Sequence, residues 1–335
     1  MKIAYLLTGL LALLMMANTP SANETKKGAF TPIDQPPPSA QQVIVGFYPI
    51  SIYELDMSSN TYYIDTYMWM KWNGEIDPTA TVEFTNMVAE WDKLQENLNE
   101  NPIQKPDGSK YQIMRVEGRF VQPFNLTNYP LDEQQLSIMI EDTVNGVDTL
   151  SYLIDEDQTG IGQTLQIPGW KMKDWTSQAF AHDYGTQFGD ESGASTYSAL
   201  QFNINISRPL SFFYWKLLFP LFVVLASGMA ALFLNAGNID SRASLPVGAL
   251  LTAVFLQKTY SDGLPDLGYL ILMDKIYLVA YALIVITLVR VITVYGKAHT
   301  ADEKTIAGIH ATDRVLMVLQ MLVFIGSTTA FILLR

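Results

Sequence analysis

Cysteine is absent from the whole 335-residue chain. That excludes disulfides, a thiol nucleophile and thiolate metal sites. Histidine is scarce: His182, His299 and His310 are the whole supply, which argues against a histidine-built metal cluster. Bases are outnumbered by acids, 21 to 33, for a formal net charge of −12. Such a chain does not suit a polyanionic partner, so nucleic acid is excluded as a ligand. Neither a catalytic nucleophile motif nor a phosphate-cradling glycine loop is found, and the "GIGQ" at Gly160–Gln163 is too short a match to count. An enzyme is therefore disfavoured, no cofactor or metal is implied, and no internal repeat is evident.

The charge that is present is unevenly divided. Residues 1–208 hold 26 acids and 12 bases, whereas residues 209–335 hold 7 acids and 9 bases. An acidic front part suits a soluble domain that meets cations or cationic ligands, and it also serves plain solubility. The chain opens with Lys2, then "IAYLLTGLLALLMMA", then the small-residue stretch "NTPSAN". This is the charged, apolar and cleavable order of a signal peptide, and the run is short against the ~20 residues of a spanning helix. The expectation is a removed signal peptide over 1–22. An extended leader over 23–42, containing "TPIDQPPPSAQQ", then runs into the first strand.

From 43 to 208 the pattern is that of strands. "TYYIDTYMWMKW", "YQIMRVEGRFVQPF", "QQLSIMIED" and "YSALQFNINIS" are rich in β-branched and aromatic residues and are punctuated by Gly, Pro, Asn and Asp. The spacing predicts an antiparallel, immunoglobulin-like sandwich. One stretch, "MVAEWDKLQENL", reads as a helical insert.

At Arg208-Pro209 the character changes to long apolar runs. Four helices are predicted in a transmembrane domain over 209–335, at about 209–234, 241–261, 268–295 and 313–335. Pro220 inside the first is tolerable where neighbouring helices satisfy the freed carbonyl. The loop from Gly296 to Asp313 carries Lys297 and Lys304, with Arg290 and Arg314 at its borders. The loop from Ser261 to Gly268 carries Asp262 and Asp266 and no base. The positive-inside rule puts the first loop in the cytoplasm and the second outside. Four crossings with an exported amino terminus satisfy both.

The second crossing is only half apolar. Asp240, Ser244, Gly248, Leu251, Phe255, Lys258 and Asp262 recur at spacings of three and four, and so share one helix face. That face has polar ends and two large apolar side chains between them. Leu245, Val247, Ala249, Leu250, Ala253 and Val254 lie on the other faces. Polar groups at membrane depth are costly unless they meet protein or water. Several copies around an axis would enclose water along this face, with Asp240 as a carboxylate ring favouring cations and with Leu251 and Phe255 as a gate closing by dewetting. Close helix packing through small residues is the competing reading, and periodicity does not separate the two.

At this point the chain resembles the pentameric ligand-gated ion channel family. "NYPLDEQQL" (Asn128–Leu136) is similar to the core of the family's signature loop, with Leu131 in place of its second aromatic residue. The two positions that are cysteine in animal members fall at Gln122 and Leu136, as in bacterial members without the disulfide. Arg208 corresponds to the arginine before the first crossing. "SRASLPVGALL" puts Arg242 at the basic start of the pore helix and Leu251 at its ring leucine, and "DGLPDLGY" is similar to the linker to the third helix. "PDG" at Pro106–Gly108 and "PGW" at Pro168–Trp170 have counterparts in bacterial members. Departures are the missing Trp-x-Pro before the signature loop, a short segment from Ala89 to Lys105, Pro246 within the pore helix, and Lys258 on its face. A helix-start position would keep the cost of Pro246 low.

The resemblance implies a homopentamer around a central pore, in the cell inner membrane with the amino-terminal domain periplasmic. Its partners would be membrane lipids, permeant cations, and a small-molecule agonist or protons. It implies an agonist site between neighbouring sandwiches, to which Tyr67, Trp69, Asp142, Thr143, Tyr184, Phe188 and Tyr197 correspond. Trp72 corresponds to a core tryptophan. Coupling between layers would use Tyr129, Pro130, Asp132, Arg208, Leu264 and Pro265. The rival expectation is a non-conducting, membrane-anchored extracellular sensor, for which one crossing would suffice.

Overall fold

The computed structural model describes residues 28–88, 93–189, 193–298 and 302–335. The expected signal peptide lies outside the described residues. The chain divides into two units: a β unit of Ser21–Phe124 and Glu133–Arg208, and a helical unit that takes in Asn125–Asp132 as well as Pro209–Arg335.

Among the described residues of the β unit, twelve strands run β1 (Ala29–Pro32), β2 (Gln41–Asp56), β3 (Thr61–Trp72), β4 (Val82–Phe84), β5 (Met87–Val88), β6 (Leu94–Asn97), β7 (Ile103–Gln104), β8 (Lys110–Val121), β9 (Glu133–Gly146), β10 (Leu150–Ile154), β11 (Lys171–Asp183) and β12 (Thr196–Ser207). One sheet orders β1-β11-β12-β9-β4, the other β10-β2-β3-β8-β5, with β6 and β7 also paired to β8. The pairing is antiparallel except for β10 with β2. The two sheets face each other over a core of alternate residues: Val43, Val45 and Phe47 of β2, Met68, Met70 and Trp72 of β3, Ile138 and Ile140 of β9, and Phe202, Ile204 and Ile206 of β12. Phe47 and Phe202 stack across the layers at 5.3 Å. The hydroxyl of Tyr62 reaches across to the Ser137 carbonyl at 2.7 Å.

Two expectations change here. The "MVAEWDKLQENL" stretch is not helical where it is described: Met87–Val88 and Leu94–Asn97 are strands on the edge of β8. A helix there would leave the amides of that edge without ladder partners. The leader does more than approach the first strand. Its Ala29–Pro32 pairs with Phe180–Asp183 of β11 and closes that sheet's edge.

The helical unit contains four helices long and apolar enough to cross a membrane, among the described residues. The first, Phe212–Phe233, begins as a π-helix (Phe212–Leu218), continues as α1 (Phe219–Met229) and ends in a 3₁₀ turn (Ala230–Phe233). Pro220 stands in the opening turn of α1. The wide π turn before it bonds the Phe219 amide to the Tyr214 carbonyl, so the proline enters where its missing N–H matters least. Then follow α2 (Ile239–Ser261), α3 (Leu272–Ala298) and α4 (Glu303–Leu333).

The helix ends differ from the sequence estimates for local reasons. The third helix starts at Leu272 rather than near 268, with the Asp274 carboxylate accepting the Ile271 amide at 3.2 Å. The fourth starts at Glu303 rather than near 313, because Asp302 caps it by accepting the Thr305 amide at 3.2 Å. Hydropathy marks the stretch suited to lipid, whereas capping marks where the helix begins. Pro246 is the eighth residue of α2, beyond the four amides that need no ladder partner. It therefore removes the N–H that would bond the Arg242 carbonyl, contrary to the expected low cost.

Within this unit the signature-loop segment is tied to the helices. The Leu272 amide donates to the Thr127 carbonyl at 3.0 Å, Arg335 donates to the Leu131 carbonyl at 3.0 Å, and Tyr129 stacks on Tyr260 at 6.1 Å.

Candidate functional site

The second crossing carries the first part of the site. Its residues Asp240, Ser244, Gly248, Leu251, Phe255, Lys258 and Asp262 are all exposed in the single chain. Leu251 is 58% exposed and Phe255 64%, values unusual for large apolar side chains packed in a bundle. The opposite side holds Arg242, Pro246, Ala249, Ala253 and Tyr260, all buried. So α2 turns its small residues to its neighbours and leaves the mixed face open.

The open face is wider than the seven positions chosen by spacing. Ser241, Val247, Thr252, Val254 and Thr259 are exposed beside them. A helix face spans about 100°, so positions adjacent to a three-four stripe belong to it, and that width was available in the sequence. Three hydroxyls on this face are satisfied within their own helix: Ser244 donates to the Ser241 carbonyl, Thr252 to Gly248 and Thr259 to Phe255. Lys258 pairs with Asp262 one turn on, at 2.5 Å.

Arg242 is not on the open face at all. Its guanidinium is 1% exposed and donates to the Asp313 carboxylate at 2.6 Å and to the Ala231 carbonyl at 3.0 Å. Arg290 donates to the other oxygen of Asp313 at 2.8 Å. Arg290 thus lies within α3, in an ion pair, and is not a free charge bordering the loop.

The β unit carries the second part. Tyr67 and Trp69 line a cleft of about 900 Å³ together with Tyr48, Lys71, Tyr111 and Asp155. The alternation of β3 puts them there: Tyr67, Trp69 and Lys71 face outward while Met68, Met70 and Trp72 are buried, the last in the core as expected. The Trp69 indole donates to Asp155 at 2.9 Å. Its ring lies against Gly46, where a Cβ would come within 2.2 Å of it. At the rim, Lys71 bonds Asp107 at 2.7 Å, and with Ser109 it holds that carboxyl well below the usual range.

Tyr184, Phe188 and Tyr197 form a separate cluster, with Tyr184 5.0 Å from Phe188 and 6.0 Å from Tyr197. His182 stacks on Tyr184 at 3.9 Å, is stacked by Phe30 at 3.9 Å on β1, and bonds Glu141 at 2.8 Å. Burial and the neighbouring Glu141 push the Tyr184 phenol upward. His182 and Glu141 were passed over in the sequence, since they meet only through the pairing of distant strands.

Asp142 and Thr143 follow Glu141 on β9, beside the second cluster, but their side chains are engaged with Thr81. The Asp142 carboxylate is buried and accepts from the Val144 and Asn145 amides and from the Thr81 hydroxyl, so it braces its own turn. Thr143 donates to the Thr81 carbonyl at 3.0 Å. Within one chain the predicted agonist residues are therefore not brought together. Tyr129, Pro130 and Asp132 are buried, and Leu264 and Pro265 are half-buried. Arg208 places its guanidinium 4.2 Å over the Trp170 ring.

No family model matches the chain. It is 20% identical over 283 residues to the proton-gated ion channel of Gloeobacter violaceus, covering 77% of this chain and 75% of that one. It is 25% identical over 165 residues to the glutamate-gated chloride channel of Drosophila melanogaster, across 49% of this chain and 34% of the relative. It is 22% identical over 167 residues to pH-sensitive chloride channel 2 of Anopheles gambiae, across 49% and 27%. These relatives are ion channels by name, and the likeness agrees with the resemblance to the pentameric ligand-gated ion channel family drawn from the sequence motifs. The four helices long and apolar enough to cross a membrane agree with a multi-pass membrane protein.

Proposed function

We propose that the chain assembles as a homopentamer in the cell inner membrane and conducts cations through a pore lined by α2. The observation that carries this reading is the open face of that helix, polar at both ends and apolar at Leu251 and Phe255, with its small residues packed inward. In a closed ring the Asp240 carboxylates stand at the inner mouth and select cations. Leu251 and Phe255 form a dry constriction. Lys258 is neutralised by Asp262 at the outer end, so it does not oppose cation entry.

The opening stimulus is a periplasmic small ligand or protons. A small-molecule agonist would bridge the Tyr67 and Trp69 cleft of one subunit and the Tyr184, Phe188 and Tyr197 cluster of the next. Because these groups are apart in one chain, a site between subunits accounts for both. Proton opening is supported by the Gloeobacter relative, which is proton-gated by name. Tyr129, Pro130, Asp132, Arg208, Leu264 and Pro265 would couple the layers, with the signature-loop segment already part of the helical unit.

The two insect relatives are chloride channels by name, so charge selectivity is the point to test. Purified protein in planar bilayers under a salt gradient should reverse near the cation equilibrium potential, and Asp240→Ala should move the reversal toward zero. Reversal near the chloride potential would overturn cation selectivity. A monomeric protein without current across pH and ligand panels would overturn the pore.

A further inference from the structure

Asp313 is the one acid of α4 that is fully buried, at 0% side-chain exposure, and it holds two arginines from two other helices. An ionisable group at this depth is costly unless paired, so the cluster has a job beyond solubility. Arg242 of α2 and Arg290 of α3 each take one oxygen of Asp313, and Arg242 also reaches Ala231 at the end of the first crossing. One side chain of α2 is thus bonded to groups on two different helices. Ala231, Leu232 and Val291 pack beside it against Ala243, Leu245 and Leu316.

This end of α2 has weak holds of its own. Asn238 makes no side-chain cap bond, and Pro246 withdraws the ladder donor for the Arg242 carbonyl. Its orientation therefore depends on what Arg242 grips. Asp240 lies two residues earlier, about 200° around the helix, so gripping Arg242 from behind turns Asp240 to the open face. Arg242 Nη1 finds no partner, which leaves the grip resting on the Asp313 and Ala231 bonds.

We propose that Asp313 is a positioning residue for ion selectivity: through Arg242 it fixes the rotation of α2 that presents Asp240 at the inner mouth of the pore. This rests on the pore reading given above. The fork geometry of arginine suits the task, because two bonds from one planar group fix an angle as well as a distance.

The test uses the full chain in planar bilayers under a salt gradient, with pentamer assembly checked by size-exclusion chromatography. Asp313→Asn should move the reversal potential toward zero by at least half of the shift caused by Asp240→Ala. Adding Asp313→Asn to Asp240→Ala should move it no further, since the first acts only through the second. Asp313→Asn with Arg290→Gln removes one charge of each sign, so a shift that persists there comes from orientation and not from altered net charge. Where Asp313→Asn fails to assemble, Arg242→Lys keeps the charge and gives up the fork, and should show the same direction of shift. Assembled Asp313→Asn or Arg242→Lys channels with wild-type reversal potential would overturn the inference, and so would additive shifts in the double variant. If Asp240→Ala moves the reversal potential and these do not, the positioning role alone falls. If Asp240→Ala moves nothing, the assignment of Asp240 as the selectivity ring and this inference fall together, while the pore itself stands on the current.

Discussion

Gly46→Ala is the sharpest probe of the cleft on the β unit. A Cβ built on Gly46 stands 2.2 Å from Cε2 and Cζ2 of Trp69 and 2.7 Å from its indole nitrogen. Ordinary carbon contacts lie near 3.5–4 Å, so the ring must retreat by about 1 Å or more. Trp69 has little freedom to do so, because its nitrogen is bonded to Asp155 at 2.9 Å. A retreat of about 1 Å takes that bond past the distance at which it still counts as one. Losing a hydrogen bond to a charged acceptor costs about 1.5–3 kcal/mol, and forcing the side chain off its rotamer about 0.5–1.5 kcal/mol. Water can replace part of the lost bond at this half-exposed site, so about 2 kcal/mol is the expected net destabilisation. The assay is thermal unfolding of the β unit's signal in the full chain, run as a cycle with Trp69→Ala. With the ring removed, Gly46→Ala should cost less than about 0.5 kcal/mol, as independent surface changes do. Equal costs in both backgrounds would refute the argument, because the penalty would then come from the β2 backbone and not from the indole.

Two further outcomes follow from named contacts. In Gly228→Ala, the new Cβ would stand 2.8 Å from that of Ala249, so α1 and α2 should be forced apart at a cost of about 1–3 kcal/mol. Heating the detergent-solubilised protein and measuring the assembled fraction should show the loss, and Ala249→Gly in the same chain should restore it. The Asp107 carboxyl is held low by Lys71 and Ser109, so its contribution to folding is present above about pH 4 and fades as pH falls further. Lys71→Met should flatten the acid limb of a stability–pH curve, lowering stability slightly above about pH 4 and leaving the most acidic region unchanged.

What was legible in the sequence is what is local. The alternation in "TYMWMKW" put Tyr67 and Trp69 on one side of β3 and Trp72 on the other, as the burial pattern shows. The signature-loop match needed only consecutive residues. The "MVAEWDKLQENL" stretch failed because its helical spacing is local while its partner, the β8 edge, is not. Leu94–Asn97 is exposed along its length, so no alternation could mark it as a strand. The pairing of His182 with Glu141 likewise depends on strands whose contact spans 41 residues.

The charges of the helical unit show why counting them by position is not enough. Arg242 and Arg290 were read as charges at the edges of crossings, one basic start and one loop border. Both instead converge on Asp313, which lies 71 residues from Arg242 in the chain. A signal was nevertheless there. Asp313 opens the apolar part of the last crossing, and a lone acid entering a membrane needs cations from other helices. The arginines that other crossings offer are Arg242 and Arg290, beside the lysines Lys216, Lys258, Lys275 and Lys297. Such an argument fixes that a partner exists and leaves its identity to the packing of the helices. Breaking a buried pair by removing one member costs about 3–5 kcal/mol, far more than an exposed pair, because the remaining charge is stranded. On the proposed reading, the residues that carry ions and the residue that aims them are therefore separated by kind. There Asp240 would have to face water to act on ions, and Asp313 would have to avoid water to hold Arg242 with a single geometry.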